Sequence, residues 1–461
     1  MSPPSMPRLL EPLFSTDRMR HVLADRGRLQ AMLDFEAALA RAEARMDVIP
    51  ASAATAIAAQ CRTEFYDMAA MAEEVTIAGN LAIPMVKALT ALVAPTDQQA
   101  AGFVHWGATS QDAIDTGLVL QLREVLTVIQ EDLARLAAGL GRLAATHART
   151  PLAGRTWMQQ AAPVTFGLKA AGWLDAIGRH RARLGETRAR VLTLQFGGAA
   201  GTLAALGSQG MAVASALAED LSLTLPDLPW HAHRDRVAEV ATTLGLLVGT
   251  LGKVARDLSL LMQTEVGEAF EPAGLGRGGS SSMPHKRNPV GSVVVLAAAL
   301  RVPPLVATML TAMGQEHERG LGGWHAEWET LPEICLLTSG ALAHLIQIAE
   351  GLEIDAARMR ANLDQTQGLV MSEAVTMALA RHFGRTTARR LVEEAIGRAR
   401  QSGQGLRDSL ESEPQVAAHF SSVDLDQMFE PLNYLGCAEL FVARALATHA
   451  AGHSSEAEGI T

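Results

Sequence analysis

Tyrosine occurs only twice in this chain and aromatic residues make up 4% of it, so the interior cannot rest on the aromatic and β-branched alternation that builds sheets. Ala, Leu and Val must fill it instead, and that mixture suits close helix packing. Cysteine is scarce as well: Cys61, Cys335 and Cys437 lie far apart. This excludes a disulfide framework and a clustered zinc site, and points to a reducing compartment, the cytoplasm. Positive charge is in deficit, with 39 Lys and Arg against 49 Asp and Glu and a formal charge of -10. A chain without a basic field is not a nucleic-acid binder, and an anionic ligand must find a local basic pocket. The opening MSPPSMPRLLEP puts prolines where a signal peptide needs an apolar run, so no export is expected. The longest uncharged run, Val191 to Ala218, has the length to span a bilayer but holds Gln195, Thr202, Ser208, Gln209 and five glycines. It is expected to be buried protein, with no membrane as partner.

A chain of 461 residues exceeds one ordinary core, so two or three domains or an elongated bundle are expected. From Val119 the apolar positions run Val119, Leu122, Leu126, Ile129, Leu133, Leu136, Leu140 and Leu143, in alternating steps of three and four. The same spacing returns at Val237, Val240, Leu244, Leu247, Leu251, Val254, Leu258 and Leu261. Both are bundle seams. Two helices of about 30 residues, each roughly 45 Å long, cannot bury such stripes within a small domain, so they should pack together and against copies in other subunits. Pro151 and the turn-rich stretch from Thr224 to Pro229 separate helical blocks, and Pro303-Pro304 interrupts or kinks another. Helices before Ser110 are shorter and split by Pro50, Pro84 and Pro95, while DQTQGLVMSEA from Asp364 opens a new set. The expected division is 1–112, 113–365 and 366–461. No segment alternates well enough to predict a sheet strand, and no internal repeat is present.

Gly274, Gly276 and Gly279 match G-x-G-x-x-G, but no strand precedes them and Pro284 follows, so a dinucleotide site is not expected. Glu-x-x-His pairs for a di-iron centre are absent. What stands out is GRGGSSSMPHKRNP from Gly276 to Pro289, which has glycines for mobility, three hydroxyls, then two cations and an amide between prolines. A solvated linker needs none of that chemistry; a lid closing on substrate does.

GSSSMPHKRNP resembles the signature of the fumarase, aspartase, argininosuccinate lyase and adenylosuccinate lyase superfamily. HWGATSQDAIDT from His105, GRTWMQQAAPVTFGLK from Gly154 and FGGAAGTLAALG from Phe196 agree in order and spacing, so the resemblance covers essentially the whole chain. WHAEWETLPEICLLTSGAL from Trp324 is similar to the branch that holds the 3-carboxy-cis,cis-muconate cycloisomerases. The resemblance implies an all-α fold of three helical domains, whose central long-helix bundle is shared in a homotetramer with active sites drawn from three subunits. It implies no metal and no cofactor. Ser280, the first serine of the loop, would exchange the proton beside a substrate carboxylate, with Lys286 and Asn288 holding carboxylate oxygens. Thr109 and Ser110 would bind another carboxylate at a helix start, where free N–H groups favour anions. Arg319 would bind the substrate's anionic end, and His105, Trp157 and Gln159 complete the substrate set. Each residue has a plainer reading beside this one: Arg319 as a surface-helix ion pair with Glu316 or Glu318, Thr109 and Ser110 as N-caps, His105 as a structural histidine, Trp157 as a core aromatic.

Where the lyases carry a histidine acid after Arg-Thr, this chain reads Arg155-Thr156-Trp157. Ring closure to a lactone does not need that acid, because in reverse the leaving group is a carboxylate, stable as an anion near a pKa of about 4.3. The expected reaction is therefore cycloisomerisation of a small polycarboxylate in aromatic catabolism. The alternatives are a fumarate-releasing lyase of the adenylosuccinate or argininosuccinate type, and a non-catalytic helical scaffold, against which the joint presence of Ser280, Lys286 and Asn288 speaks.

Overall fold

The computed structural model describes residues 9–274 and 278–458, with side chains through residue 451. Gly276 of the glycine pattern and the first eight residues of the opening segment lie outside the described residues. Five helices exceed 22 residues among those described: Ser110–Thr146, Phe166–Val191, Asp235–Leu261, Val290–Ala312 and Gly323–Gly351. The first two seams lie on the first and third of these. Val119, Leu122, Leu126, Ile129, Leu133, Leu136 and Leu140 are all buried, as are all eight positions from Val237 to Leu261, and only Leu143 is half-exposed. Small residues let these helices approach closely. A Cβ added at Gly252 would sit 2.7 Å from the Ala299 Cβ, so the contact has no room for even a methyl group.

The chain divides into two compact units. One comprises Met1–Leu133, His180–Gly252 and Val294–Ala343; the other comprises Ala134–Arg179, Lys253–Val293 and His344–Thr461. In the first unit, helix Asp25–Arg45 packs against Ala51–Gln60 and Gly210–Leu221. The uncharged run from Val191 is not one helix there. It leaves its helix after Val191, bridges Thr193 to Thr224 in parallel, and becomes helical again as the short 3-10 turn Ala204–Gln209 and the helix Gly210–Leu221. In the second unit a small core of Met371, Val375, Leu379, Leu391, Leu406, Leu410 and Leu425 joins the short helices after Asp364.

Two expectations change. Pro303 and Pro304 lie inside the continuous helix Val290–Ala312, so they do not interrupt it. Pro332 is likewise inside Gly323–Gly351, and the carbonyl it leaves unpaired, that of Trp328, accepts from Arg28 Nη2 at 2.7 Å. Strands are present where none was expected. β1 (Pro151–Thr156) and β2 (Gln159–Thr165) form an antiparallel hairpin, with a bulge at Ala153/Gly154. β3 (Ala269–Phe270) pairs with β4 (Glu353–Ile354). The hairpin escaped because its strands are rich in Ala and Gln and its turn, Trp157-Met158, lacks the usual Asn-Gly. Both turn residues nonetheless adopt positive φ, 52° and 63°, as a tight hairpin requires.

Candidate functional site

In the first unit, the segment from His105 leads into the long helix through left-handed residues at His105 and Gly107, with φ of 58° and 72°. Thr109 precedes the first helical residue, Ser110, and its N–H donates to Asp112 at 3.0 Å, which is half of a capping box. Thr109 Oγ1 is left free to accept from Arg319 Nη2 at 3.2 Å, while Arg319 Nε donates to Gln111 Oε1 at 3.0 Å and Nη2 also to the Ala199 carbonyl at 3.2 Å. Arg319 lies in the loop before Gly323–Gly351, not on a helix, and pairs with no carboxylate among the described residues. Glu316, one of the two partners the plainer reading offered, instead accepts from the Leu321 N–H at 2.7 Å. A guanidinium held only by neutral acceptors, beside the start of a 37-residue helix, keeps its charge for an anion.

His105 makes its own contact. Its Nδ1 lies 2.6 Å from Oε1 of Glu36, which is 1% exposed. Burial alone would lower the His105 pKa, but the charge and hydrogen bond of Glu36, with Asp112 beyond, raise it above the ordinary value.

Two buried clusters under this segment were not anticipated. The fully buried Asp112 carboxylate accepts from the Gly197 N–H at 3.0 Å, the Gly198 N–H at 2.9 Å and Gln195 Nε2 at 3.4 Å, and lies 2.7 Å from His231 Nε2. It thereby ties the helix start to the FGGAAG loop. One turn on, Asp115 and Glu327 enclose Arg234, with Asp115 Oδ2 at 2.7 Å from Nη1 and Glu327 Oε1 at 3.0 Å from Nε. Trp324 Nε1 and Gln111 Nε2 each donate to Asp115 at 3.0 Å. Carboxylates three apart in a helical stretch with no other charge before Arg123 were the available signal, since buried acids need partners.

In the second unit, the serine-rich loop is pinned at its base and exposed at its tip. The Asn288 N–H donates to the Gly278 carbonyl at 2.8 Å, and Asn288 Nδ2 to the Gly279 carbonyl at 3.3 Å. Arg287 holds Glu353 through two bonds of 3.0 and 2.9 Å, donates to the Glu271 carbonyl at 2.7 Å and lies over the Phe270 ring. The Glu271 carboxylate in turn caps helix Val290–Ala312, accepting from the N–H groups of Gly291 and Ser292 and from Ser292 Oγ at 2.9, 2.8 and 2.7 Å. Between the pins, residues 281–287 are exposed. Ser280 Oγ accepts from the Met283 N–H at 3.0 Å and the Ser282 N–H at 3.4 Å, donors that favour a negative oxygen there. The Lys286 side chain forms no ion pair among the described residues.

Trp157 and Gln159 sit at the hairpin end, and Trp157 is 97% exposed. It is therefore not a core aromatic of this chain. Arg155 beneath it is committed to Glu268 by bonds of 2.8 and 2.6 Å, and Glu268 also accepts from Asn362 Nδ2 at 2.8 Å. Lys169, at the end of the same sequence block, has its pKa lowered by burial. Thr109, Ser110 and Arg319 thus come together in one unit, with His105 just upstream on the same segment. Ser280, Lys286 and Asn288 share a loop in the other. Among the described residues no group of three or more His, Cys, Asp or Glu side chains is placed to hold a metal.

The chain matches the lyase family over residues 14–303 and the adenylosuccinate lyase C-terminus over residues 368–445. It is 60% identical over 442 residues to a 3-carboxy-cis,cis-muconate cycloisomerase of Pseudomonas aeruginosa, covering 96% of each chain. A nitrosuccinate lyase of Streptomyces davaonensis is 42% identical over 95% of this chain and 94% of its own. Among solved structures, the 3-carboxy-cis,cis-muconate lactonizing enzyme from Pseudomonas putida superposes with a TM-score of 0.93 at 57% identity, over 96% of this chain and 98% of the other. With family matches along most of its length and relatives this similar from end to end, the chain belongs to the lyase family that carries an adenylosuccinate lyase C-terminal region.

Proposed function

We propose that this protein is a 3-carboxy-cis,cis-muconate cycloisomerase, which closes the open-chain polycarboxylate to 4-carboxymuconolactone in aromatic catabolism. The observation that carries the reading is the near-complete match, at 60% identity, to a cycloisomerase. In the forward direction one substrate carboxylate adds to a double bond, and negative charge spreads into the carboxylate next to the receiving carbon. Ser280 then delivers its proton to that carbon. Lys286 and Asn288 hold the charged oxygens, and fixed donors at that point lower the barrier. Thr109, Ser110, His105 and Arg319 take the other carboxylates, while Trp157 and Gln159 shape the pocket. The unpaired cations Arg319 and Lys286 and the N–H donors at Ser280 support this assignment.

Two units that each hold part of the residue set fit a homotetramer with shared sites. Helix Val290–Ala312 supports it further: it is apolar enough to cross a membrane, yet only 28% of its most apolar window is buried in one chain. Val293, Leu300 and Leu310 face outward from it, a surface suited to other copies of the chain. The division at 112 and 365 is supported by the start of helix Ser110–Thr146, the end of helix Ala356–Asp364 and a C-terminal family match that begins at 368. A cytoplasmic site fits three free cysteines, two of them buried.

A lyase reading keeps the support of lyase relatives, such as the nitrosuccinate lyase at 42% identity. The test is an ultraviolet assay of the purified protein with carboxymuconate. The conjugated absorbance should disappear at an enzymatic rate, and its persistence would reject the proposal.

A further inference from the structure

Glu36 belongs to none of the sequence blocks that carry the family resemblance, yet its carboxylate holds the His105 ring through Nδ1. We propose that Glu36 is a positioning residue of the anion site: by holding His105 through Nδ1 it fixes the ring as an imidazolium, whose Nε2–H and charge receive a substrate carboxylate. The proposal rests on the cycloisomerase reading for its substrate, and on the following geometry for itself.

Glu36 is 1% exposed, and its second oxygen, Oε2, has no hydrogen-bond partner. A carboxylate buried in that state needs a counter-charge, since an uncompensated buried charge is among the costliest features a fold can carry. His105 supplies it at 2.6 Å, a separation typical of a charge-assisted bond. The groups that act on the ring from the packed elements are Glu36, from helix Asp25–Arg45, and Asp112, from helix Ser110–Thr146. Both are acidic, and both favour the cation. Glu43, two turns along from Glu36, is buried with both oxygens unpartnered, and burial raises its pKa, with the nearby Glu36 charge adding to it. His105 itself is 15% exposed, and with Nδ1 turned to Glu36 the ring nitrogen left for a ligand is Nε2. Its backbone sits at φ 58°, a conformation costly for a non-glycine residue and retained where surroundings impose it. Four residues on, Thr109 touches Arg319. A mere anchor for this segment would not require a charged ring; an anion receptor does.

The experiment has two arms on the full-length protein. In the first, histidines carry a 13C label at Cε1 and the His105 resonance is identified by its loss in His105→Gln. Its titration midpoint should lie above the ordinary value near 6.5 in the wild type and fall by about one unit or more in Glu36→Gln. In the second, KM for carboxymuconate in Glu36→Gln should rise about tenfold at pH 7.5. The gap should close to about threefold or less at pH 5.5, where the ring is protonated without help, and kcat should stay within about threefold. A wild-type His105 midpoint at or below the ordinary value, or a KM penalty of equal size at both pH values, overturns the proposal. The wild-type titration decides the matter even if Glu36→Gln does not fold. Because it needs no turnover, it also separates failure of this inference from failure of the cycloisomerase reading, which would show as a wild type inert toward carboxymuconate.

Discussion

Replacing Asp112 by Ala removes one buried carboxylate and leaves three backbone donors, those of Thr109, Gly197 and Gly198, with no acceptor, together with the side chains of Gln195 and His231. A buried donor left unsatisfied costs about 1–3 kcal/mol. The losses are not additive, because the 195–198 segment can shift and some water can enter. Breaking a buried, hydrogen-bonded charge typically costs about 3–5 kcal/mol in total, and we expect a value in that range. Asp112→Asn keeps the shape but turns an NH2 toward N–H donors, so it should recover only part of the loss. Because unfolding of an oligomer is not a two-state process, the informative assay is amide hydrogen exchange. Gly197 and Gly198 should lose about 100-fold or more of their protection in Asp112→Ala, the equivalent of about 3 kcal/mol, while the buried Val240 and Leu244 of helix Asp235–Leu261 stay protected. If exchange at the two glycines rises by less than about fivefold, or rises equally throughout the unit, then Asp112 is not the tie between the helix start and the glycine loop.

Ser280→Ala should lower kcat by roughly 10² to 10⁴, the usual contribution of a positioned acid or base, with substrate binding retained; a greater loss in Ser281→Ala or Ser282→Ala would shift the role to another hydroxyl. Burial pushes the Glu43 carboxyl up to about 9, with the nearby Glu36 charge adding to it. An acid whose folded pKa is raised binds its proton in the folded state while the unfolded chain releases it. Its contribution is therefore fully present below about 4.5 and is lost as pH rises toward about 9. Glu43→Gln, which keeps the shape without the proton release, should stabilise the protein by roughly 2–4 kcal/mol at pH 7.5 and by little at pH 4.5, read as the pH dependence of Tm; an unchanged pH slope would place Glu43 in water. Light scattering should report a tetramer at micromolar concentration, and Leu300→Glu, on the outward face of helix Val290–Ala312, should weaken it; a stable, active monomer would remove the shared-site proposal.

Seam residues such as Val119 and Leu244 could be read from spacing alone, because a helix period repeated over many turns has few other causes. The serine loop stood out because its residue types exceed what a linker needs. The hairpin before Phe166 could not be read in the same way. Its short strands pair at a bulge and place Ala and Gln on both faces, so no alternation marks them. The plainer reading of Arg319, an ion pair on a surface helix, fails because the segment between the helices ending at Ala312 and beginning at Gly323 is a loop, with Arg319 bonded to Gln111 and Ala199. Such a tertiary preference leaves no local trace. The same holds for Asp112, Arg234, Glu327 and Glu36, whose partners lie 69 to 119 residues away. A single buried acid in a helix reads as an anomaly, and only the fold reveals what satisfies it.

The most direct test of the central claim is product identification by NMR after the wild-type protein is offered carboxymuconate, adenylosuccinate, argininosuccinate, and fumarate with ammonia, with the panel repeated for Trp157→His. A departing amine needs an acid, and a lyase without one should lose about 10² to 10⁴ in rate, about 3–5 kcal/mol of barrier, whereas a departing carboxylate needs none. The account predicts lactone from carboxymuconate, no reaction with the other substrates, and no efficient lyase activity gained from the single histidine. Appreciable fumarate released from adenylosuccinate or argininosuccinate by the wild type would contradict it and show that another residue supplies the acid.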